Sequence, residues 1–358
     1  ELKNNIQKQV SQFYKKHNMN KKNSNVLNLK SIIKSNQKIS SIYSIFKNSL
    51  KPLYKKKLIV AVSGGPDSLC LAVLTKVLQS EKKMKVFFVL VDHAIRKNSK
   101  REAIQVKKIL KKQKISLTIL TNEDEKIEKN IQSNARKIRY KLLSDFSRKV
   151  RANHILTAHH SDDQVETFLI RLSRGSGVQG LSSMKFITKL DKKINLVRPL
   201  LDFKKKDLIF ITKKIFVKVI KDPSNNNPKY LRTRIRHLKK ILEKNGIHYD
   251  QVIKSIKNLA SANETLKTYT QKVFSLNVKK KPNEFIVNYK KLLLESSEIQ
   301  FKVISEAIKI FSKSYYPPRS IKVLNIIKLL NLKKQKKFTL SRCLITKTGN
   351  YLSIKKEA

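Results

Sequence analysis

The most constraining stretch of this chain is Leu58-Ile59-Val60-Ala61-Val62, running directly into Ser63-Gly64-Gly65-Pro66-Asp67-Ser68. Five consecutive apolar residues closed by Ser-Gly-Gly-Pro read as a strand buried on both faces, the habit of a parallel sheet. Glycine is rare in this sequence, seven in 358 residues. Two in succession after such a strand mark backbone that needs positive φ or a close approach to a ligand. The pattern then keeps alternating: helix over 67–79, strand over 86–91, helix over 99–113, strand over 115–120, helix over 130–150 and strand over 154–158. That rhythm predicts an α/β fold, a doubly wound and mainly parallel sheet with ligands at the carboxyl ends of its strands.

Outside this core the sequence changes character. Residues 1–50 are Lys- and Asn-rich with one helical pattern (Ile42, Tyr43, Ile45, Phe46, Leu50), and we expect a polar, basic, loosely attached extension. The α/β domain is expected over 51–225. Asp222-Pro-Ser-Asn-Asn-Asn-Pro228 is a turn-rich linker, and 226–358 reads as a smaller, mainly helical domain with helices over 255–274, 299–311 and 320–332. Short strands are expected at 285–287 and 338–354, the latter turning at Thr348-Gly349-Asn350.

Eighty Lys and Arg residues against 25 Asp and Glu leave a formal charge of +55. A compositional bias toward Lys, Ile and Asn accounts for part of this, but the scarcity of acids favours a polyanion partner, nucleic acid above all. Cys70 and Cys343 are the only cysteines, which excludes a disulfide framework or a four-thiolate metal site. No apolar leader is evident, and the longest apolar stretch, near 86–91, is too short to span a bilayer. A soluble cytoplasmic protein is the expectation, and a homodimer stays open.

Several segments carry chemistry. Gly64 and Gly65 would turn backbone N–H groups inward as an anion nest, the following helix would aim its positive end there, and Ser63 and Ser68 would add hydroxyls. Asp67 is a candidate Mg²⁺ ligand. No Gly-x-x-x-x-Gly-Lys-Ser/Thr run exists in the chain, so this is not a Walker loop. Asp92 and His93 end the second strand, where simple loop solvation is the bland alternative. On a helix, Gln132, Arg136 and either Arg139 or Tyr140 share one face. His159 and His160 are adjacent, so on an extended strand end they point to opposite sides and make poor ligands for one ion. Asp162 would cap the next helix, with Asp163, Glu166 and Thr167 on one face. Arginine, scarce beside lysine, also gathers at Arg171, Arg174, Arg198, Arg232, Arg234 and Arg236.

In order and spacing, these segments resemble the tRNA(Ile)-lysidine synthetases of the PP-loop, or N-type ATP pyrophosphatase, superfamily. The matches are Ser63-Gly-Gly-Pro-Asp-Ser68, Val91-Asp-His-Ala-Ile-Arg96, Ala135-Arg-Lys-Ile-Arg-Tyr140, Ala158-His-His-Ser-Asp-Asp-Gln-Val-Glu-Thr167, Arg174-Gly-Ser-Gly-Val-Gln-Gly-Leu181, Arg198-Pro-Leu-Leu201, Asp222-Pro-Ser-Asn225 and Arg232-Thr-Arg-Ile-Arg236. Ile95 replaces the usual Leu, Thr233 the usual Asn, and a Trp common before the Asp-Pro is absent. The resemblance implies an adenine nucleotide alpha hydrolase-like fold, with ATP as co-substrate and Mg²⁺ at Asp67. It implies ATP binding by Ser63, Gly64, Gly65, Pro66, Asp67, Ser68 and His93, and catalytic roles for Asp67, Asp92, Arg136 and Asp163. Free L-lysine would be received by Asp162, Asp163 and Glu166. Contacts to tRNA or phosphate would come from Arg139, Arg171, Arg174, Arg198, Arg232, Arg234 and Arg236. The implied reaction adenylates the wobble cytidine of tRNA(Ile) with a CAU anticodon and then joins lysine to its C2. Asp67, Asp92 and Asp163 all stay open as the base that deprotonates lysine. The rivals are a thiolating relative, which the lack of Cys-x-x-Cys opposes, a phosphohydrolase using His159, His160 and Asp163, and a basic binding protein without catalysis.

Overall fold

The computed structural model describes residues 29–95, 98–123, 131–191, 193–216, 228–314, 317–332 and 337–357. The chain divides into two compact units, Glu1–Ser176 with Ser183–Ile256, and Gly177–Ser182 with Lys257–Ala358. The first unit carries strands β1 (Leu58–Val62), β2 (Val86–Asp92), β3 (Leu117–Thr121), β4 (His154–Leu156), β5 (Ile187–Lys189) and β6 (Asn195–Val197). They lie in the order β3-β2-β1-β4-β6-β5, all parallel except β5, which runs antiparallel to β6. Strand order reverses between β1 and β4, so the loops leaving these two strands flank the crevice where doubly wound sheets bind ligands.

The uninterrupted apolar run of β1 has a direct packing reason. Leu58, Val60 and Val62 point into the core on one face of the sheet, while Ile59 joins Val89, Leu143, Ile155 and Leu196 on the other. A strand covered on both faces cannot alternate with polar residues.

Helix α1 (Gln37–Ser49) corrects the expectation of a loose extension for the described part of 1–50. Ile39, Ile42, Tyr43, Phe46 and Leu50 are buried in the same core as β1, together with Leu29 and Ile33. Asn36 caps the helix by accepting the N–H of Ile39 at 3.1 Å. Ion pairs from Lys38 to Asp207 and from Lys47 to Glu81, each 2.6 Å, tie its polar side to two further helices, α2 (Pro66–Lys82) and one beginning at Lys205. Residues 1–28 lie outside the described residues.

The division between units falls inside helix Tyr249–Asn277, not near residue 225, because the basic helix Leu231–Lys244 is bonded to the α/β unit. Of the proposed linker 222–228, residues 222–227 lie outside the described residues. The second unit contains helices Ser297–Phe311 and Ser320–Asn331 packed with a five-stranded antiparallel sheet. Its terminal β element (Lys337–Leu340, Cys343–Thr348, Tyr351–Lys356) gains Val278–Lys280 and Glu284–Asn288 as further strands. Among the described residues no helix is long and apolar enough to cross a membrane.

Candidate active site

The loop after β1 is shaped from within by Ser68. Its Oγ accepts the N–H groups of Ser63 and Gly64, each at 3.1 Å, and donates to the carbonyl of Gly65 at 2.9 Å. Ser68 is buried whereas Ser63 is exposed, so the two serines predicted as equivalent hydroxyls have different places. Gly64 has φ of +88°, and a Cβ added there would lie 2.6 Å from Val106 Cγ2. Val106 belongs to helix α3 (Ser99–Lys112), which thus closes against the loop. Gly65 stands at the N-cap of α2 and Pro66 opens its first turn, which leaves the helix's free N–H groups and positive end beside the loop. Thr212 Oγ1 donates to the Pro66 carbonyl at 2.8 Å and fixes this turn from behind.

Asp67 stands on that first turn. Its Oδ1 is buried with no hydrogen-bond partner, and its Oδ2 lies 3.6 Å from Nε2 of His160. His160 ends the segment after β4 and caps helix α5 (Ser161–Leu172). Its Nδ1 accepts the Asp163 N–H at 3.3 Å, while its own N–H donates to Asp163 Oδ2 at 3.2 Å. The ring proton therefore sits on Nε2, facing Asp67 and, at 3.5 Å, Asp163. Burial pulls the pKa of His160 down, but the carboxylates of Asp67 and Asp163 outweigh it and raise it above the ordinary value. His159 faces elsewhere, with Nδ1 2.9 Å from Thr157 Oγ1. Burial, with Arg198, Arg232 and Arg136 outweighing the pull of Asp163, pushes it down to about 3, so it is neutral. Among the described residues no group of three or more His, Cys, Asp or Glu side chains could hold a metal ion.

The acidic face of α5 is buried and already paired. Arg232 reaches Glu166 Oε2 at 2.6 Å and Asp163 Oδ1 at 2.8 Å, while Arg236 reaches Glu166 Oε1 at 2.7 Å and Asp163 Oδ1 at 3.4 Å. Lys239 Nζ sits 2.7 Å from Asp162 Oδ2 and 4.5 Å from the centre of the Tyr249 ring. Burial alone would raise Asp162, yet Lys239 and the N–H of Lys205 hold it below the usual carboxylate range. Asp163 is likewise held low against burial, first by His160 and then by Arg232. Arg232 and Arg236, read from the sequence as phosphate ligands, here serve carboxylates, and the face read as a receiver for lysine is filled by the protein's own cations. Arg234, from the same cluster, is exposed. Lys239 went unnoticed in the sequence although Arg232, Arg236 and Lys239 fall at i, i+4 and i+7, one face of a helix.

At the end of β2, Asp92 is buried and its Oδ1 accepts the N–H of Ala94 at 3.0 Å. His93 Nε2 lies 3.3 Å from Nη2 of Arg139, and its Nδ1 is buried without a partner. Burial and the charge of Arg139, opposed by Asp92, push His93 down to about 4. Arg136 lies 4.8 Å from the Tyr140 ring centre, on helix α4 (Ile131–Val150). Arg171 donates to the Ser183 carbonyl, Arg198 is buried just past β6, and Arg174 is exposed. Cys70 is wholly buried, which pushes its thiol up and leaves it inert. Arg96 and Asp222–Asn225 lie outside the described residues.

A parallel sheet with Ser-Gly-Gly-Pro-Asp-Ser at its switch point defines a PP-loop ATP-binding protein, and residues 36–243 match the family model described as a PP-loop domain. The chain is 34% identical over 313 residues to a tRNA(Ile)-lysidine synthase of Wolbachia pipientis wMel, covering 85% of this chain and 72% of that protein. It is 33% identical over 317 residues to the tRNA(Ile)-lysidine synthase of Orientia tsutsugamushi (strain Boryong), covering 84% and 70%. In fold it is similar to the U34-tRNA thiolase NcsA from Methanococcus maripaludis, with a TM-score of 0.51 and 21% identity over 63% of this chain and 79% of that one. On these matches the chain belongs to the tRNA(Ile)-lysidine synthase family.

Proposed function

We propose that this chain performs the family's reaction in two steps on tRNA(Ile) with a CAU anticodon. The C2 oxygen of the wobble cytidine attacks the α-phosphate of ATP and releases pyrophosphate. The ε-amine of free L-lysine, after losing a proton, then attacks C2 and expels AMP. The observation that carries this reading is Asp67, which belongs to the phosphate loop on one side of the switch point and faces His160 of the acidic helix on the other. One crevice thus holds both a nucleotide loop and the groups suited to a cationic amino acid.

The loop 63–68 and the start of α2 receive the β- and γ-phosphates. Asp67 Oδ1, buried and unpartnered, fits a hard cation that takes one carboxylate and completes its shell with phosphate oxygens and water. Bound there, Mg²⁺ would supply charge neutralisation for the phosphates. His93, kept neutral, offers a buried ring N–H at Nδ1 beside the nucleotide. The protein's own part in the chemistry is positioning and electrostatic complementarity.

Of the three carboxylates that could take the lysine proton, Asp163 is the weakest choice. Its Oδ1 faces two guanidinium groups, its Oδ2 accepts a backbone N–H, and its pKa is depressed. Asp67 and Asp92 are the better candidates. Lysine's ammonium enters among Asp162, Asp163 and Glu166 by opening one of the existing pairs, and Lys239–Asp162 has the most exposed cation, at 37%. The test is pyrophosphate release from ATP with tRNA(Ile) present or absent. A tRNA-dependent signal supports the reading, and turnover without tRNA rejects it.

A further inference from the structure

His93 follows the last residue of β2, and its backbone is pinned on both sides. The Asp92 carbonyl accepts the N–H of Asn122 at 2.9 Å, and Asp92 Oδ1 accepts the N–H of Ala94 at 3.0 Å. Ala94 is held in the left-handed region at φ of +54°, a conformation unfavourable for a residue with a Cβ. Such strain persists only where the surrounding structure imposes it, and it clusters beside ligands. The His93 ring so placed meets Arg139 of helix α4, which donates to its Nε2 from Nη2 at 3.3 Å and from Nε at 3.4 Å.

A guanidinium only donates. Nε2 is therefore the acceptor, and in a neutral ring the proton then sits on Nδ1. A neutral imidazole alone in water favours the opposite tautomer, so the choice is made by Arg139. Burial and the charge of Arg139, opposed by Asp92, keep the ring neutral, with a pKa of about 4. The result is an Nδ1–H that is buried and meets no acceptor in the free protein. An unmet buried donor is destabilising, and the cost is removed when a bound molecule brings an acceptor. Arg139 is exposed, so it can follow the small turn of the ring that admits one.

Topology narrows what that molecule is. β1 lies between β2 and β4. With the phosphates in the loop after β1 and the amino acid at the acidic helix after β4, the exit of β2, about 5 Å to the other side, is left for the nucleoside half of ATP. A ring held neutral beside a guanidinium also suits an uncharged acceptor better than a phosphate, whose charge would draw a second proton onto it.

We propose that Arg139 is a positioning residue for the nucleotide: by donating to Nε2 it holds His93 in the Nδ1–H tautomer, and that N–H donates to an uncharged acceptor on the nucleoside half of ATP. This rests on the reading of loop 63–68 as the ATP site. It gives Arg139 a part in nucleotide binding, where the resemblance implied contact with tRNA or phosphate.

The test measures binding of α,β-methylene ATP with Mg²⁺ to the full chain, and reads the His93 tautomer from long-range ¹H–¹⁵N spectra of histidine-labelled protein. The His93 signal, one of seven histidines, is assigned by its loss in His93→Asn. Melting curves confirm that each variant folds. The wild-type ring should carry its proton on Nδ1, and Arg139→Leu should move it to Nε2 and weaken the analogue by about threefold to tenfold, the scale of one neutral hydrogen bond. His93→Asn, whose amide N–H falls where Nδ1 sits, should recover the affinity that His93→Gln loses. In the Asn background, which has no tautomer to choose, Arg139→Leu should cost less than twofold. Among deoxyribose and deaza-adenine analogues, one should bind the wild type weakly and be indifferent to Arg139→Leu, which locates the acceptor on ribose or base. A wild-type proton on Nε2 would overturn the proposal, as would an Arg139→Leu penalty that is equal in both backgrounds. Loss of tRNA affinity in Arg139→Leu with analogue affinity unchanged would overturn it too and return Arg139 to the RNA. No analogue binding by the wild-type chain would overturn both this proposal and the ATP reading, whereas the other failures leave that reading standing.

Discussion

Asp67 and His160 meet across the switch point of the sheet, with Oδ2 of one 3.6 Å from Nε2 of the other. Each is fixed by its own helix start: Asp67 on the first turn of α2, His160 as the cap of α5. The contact makes the phosphate loop and the acidic helix one electrostatic unit, since His160 also faces Asp163, which in turn faces Arg232 and Arg236. A change of charge at Asp67 is therefore felt by the groups that would meet the amino acid.

Asp67→Asn keeps the shape of the side chain and removes the charge at the orphaned oxygen. We expect pyrophosphate release to fall by about 100-fold or more, the scale of losing one preorganised electrostatic group. Melting temperature and tRNA affinity should stay close to wild type. Pyrophosphate release at the wild-type rate would reject Asp67 as the cation ligand.

Gly64→Ala meets two obstacles. The positive φ costs about 1–2 kcal/mol for a residue with a Cβ, and the new methyl collides with Val106 Cγ2. Adding Val106→Ala removes the collision but not the φ cost. The double variant should thus recover only part of the lost ATP affinity, as titration of a nucleotide analogue would read. Full recovery would mean the loop's backbone conformation is less demanding than its geometry indicates.

Lys239→Met leaves Asp162 buried beside the Lys205 N–H without its cation. Breaking a buried pair costs roughly 3–5 kcal/mol, and the partial exposure of Lys239 reduces this to about 1–3 kcal/mol. Adding Asp162→Asn should restore much of the stability in a denaturant-unfolding cycle. Additive losses would show that the two residues are not coupled.

The pH dependence follows from histidines that fold in their neutral form. His93 and His159 have pKa values of about 4 and about 3, against about 6.5 in an unfolded chain. Below pH ~6.5 the unfolded chain binds protons that the folded chain refuses, so stability drops as pH falls toward 4. His160 acts oppositely, its contribution being present at low pH and lost as pH rises through its raised value. Asp162 and Asp163 hold their contribution above the ordinary carboxylate value of about 3.9 and lose it only at lower pH. Melting temperature should decline from pH 7 to pH 4, and His159→Gln should flatten that decline. An unchanged slope in the variant would contradict the buried neutral ring.

Much of the α/β unit could be read from local pattern, because its signals are local. The β1 run is buried on both faces, and the paired glycines sit where positive φ is needed, at Gly64. What escaped depends on neighbours distant in the chain. The apolar stripe Ile42, Tyr43 and Phe46 was visible, but the surface that α1 docks against comes from α2 and other elements. Arg232 and Arg236 announced a charged face without announcing its partners, since carboxylates and phosphates attract the same guanidinium. Likewise, strand Glu284–Asn288 pairs with Tyr351–Lys356 across a long stretch of sequence, so the second unit's sheet is larger than its terminal hairpin suggested.

Whether the chain forms lysidine is decided by its product. The chain is incubated with ATP, Mg²⁺, isotopically labelled L-lysine and tRNA(Ile) bearing a CAU anticodon, and the digested nucleosides are analysed by mass spectrometry. One labelled lysine is expected at C2 of the wobble cytidine, formed only when ATP is present. An unmodified or thiolated cytidine alongside pyrophosphate release would contradict it.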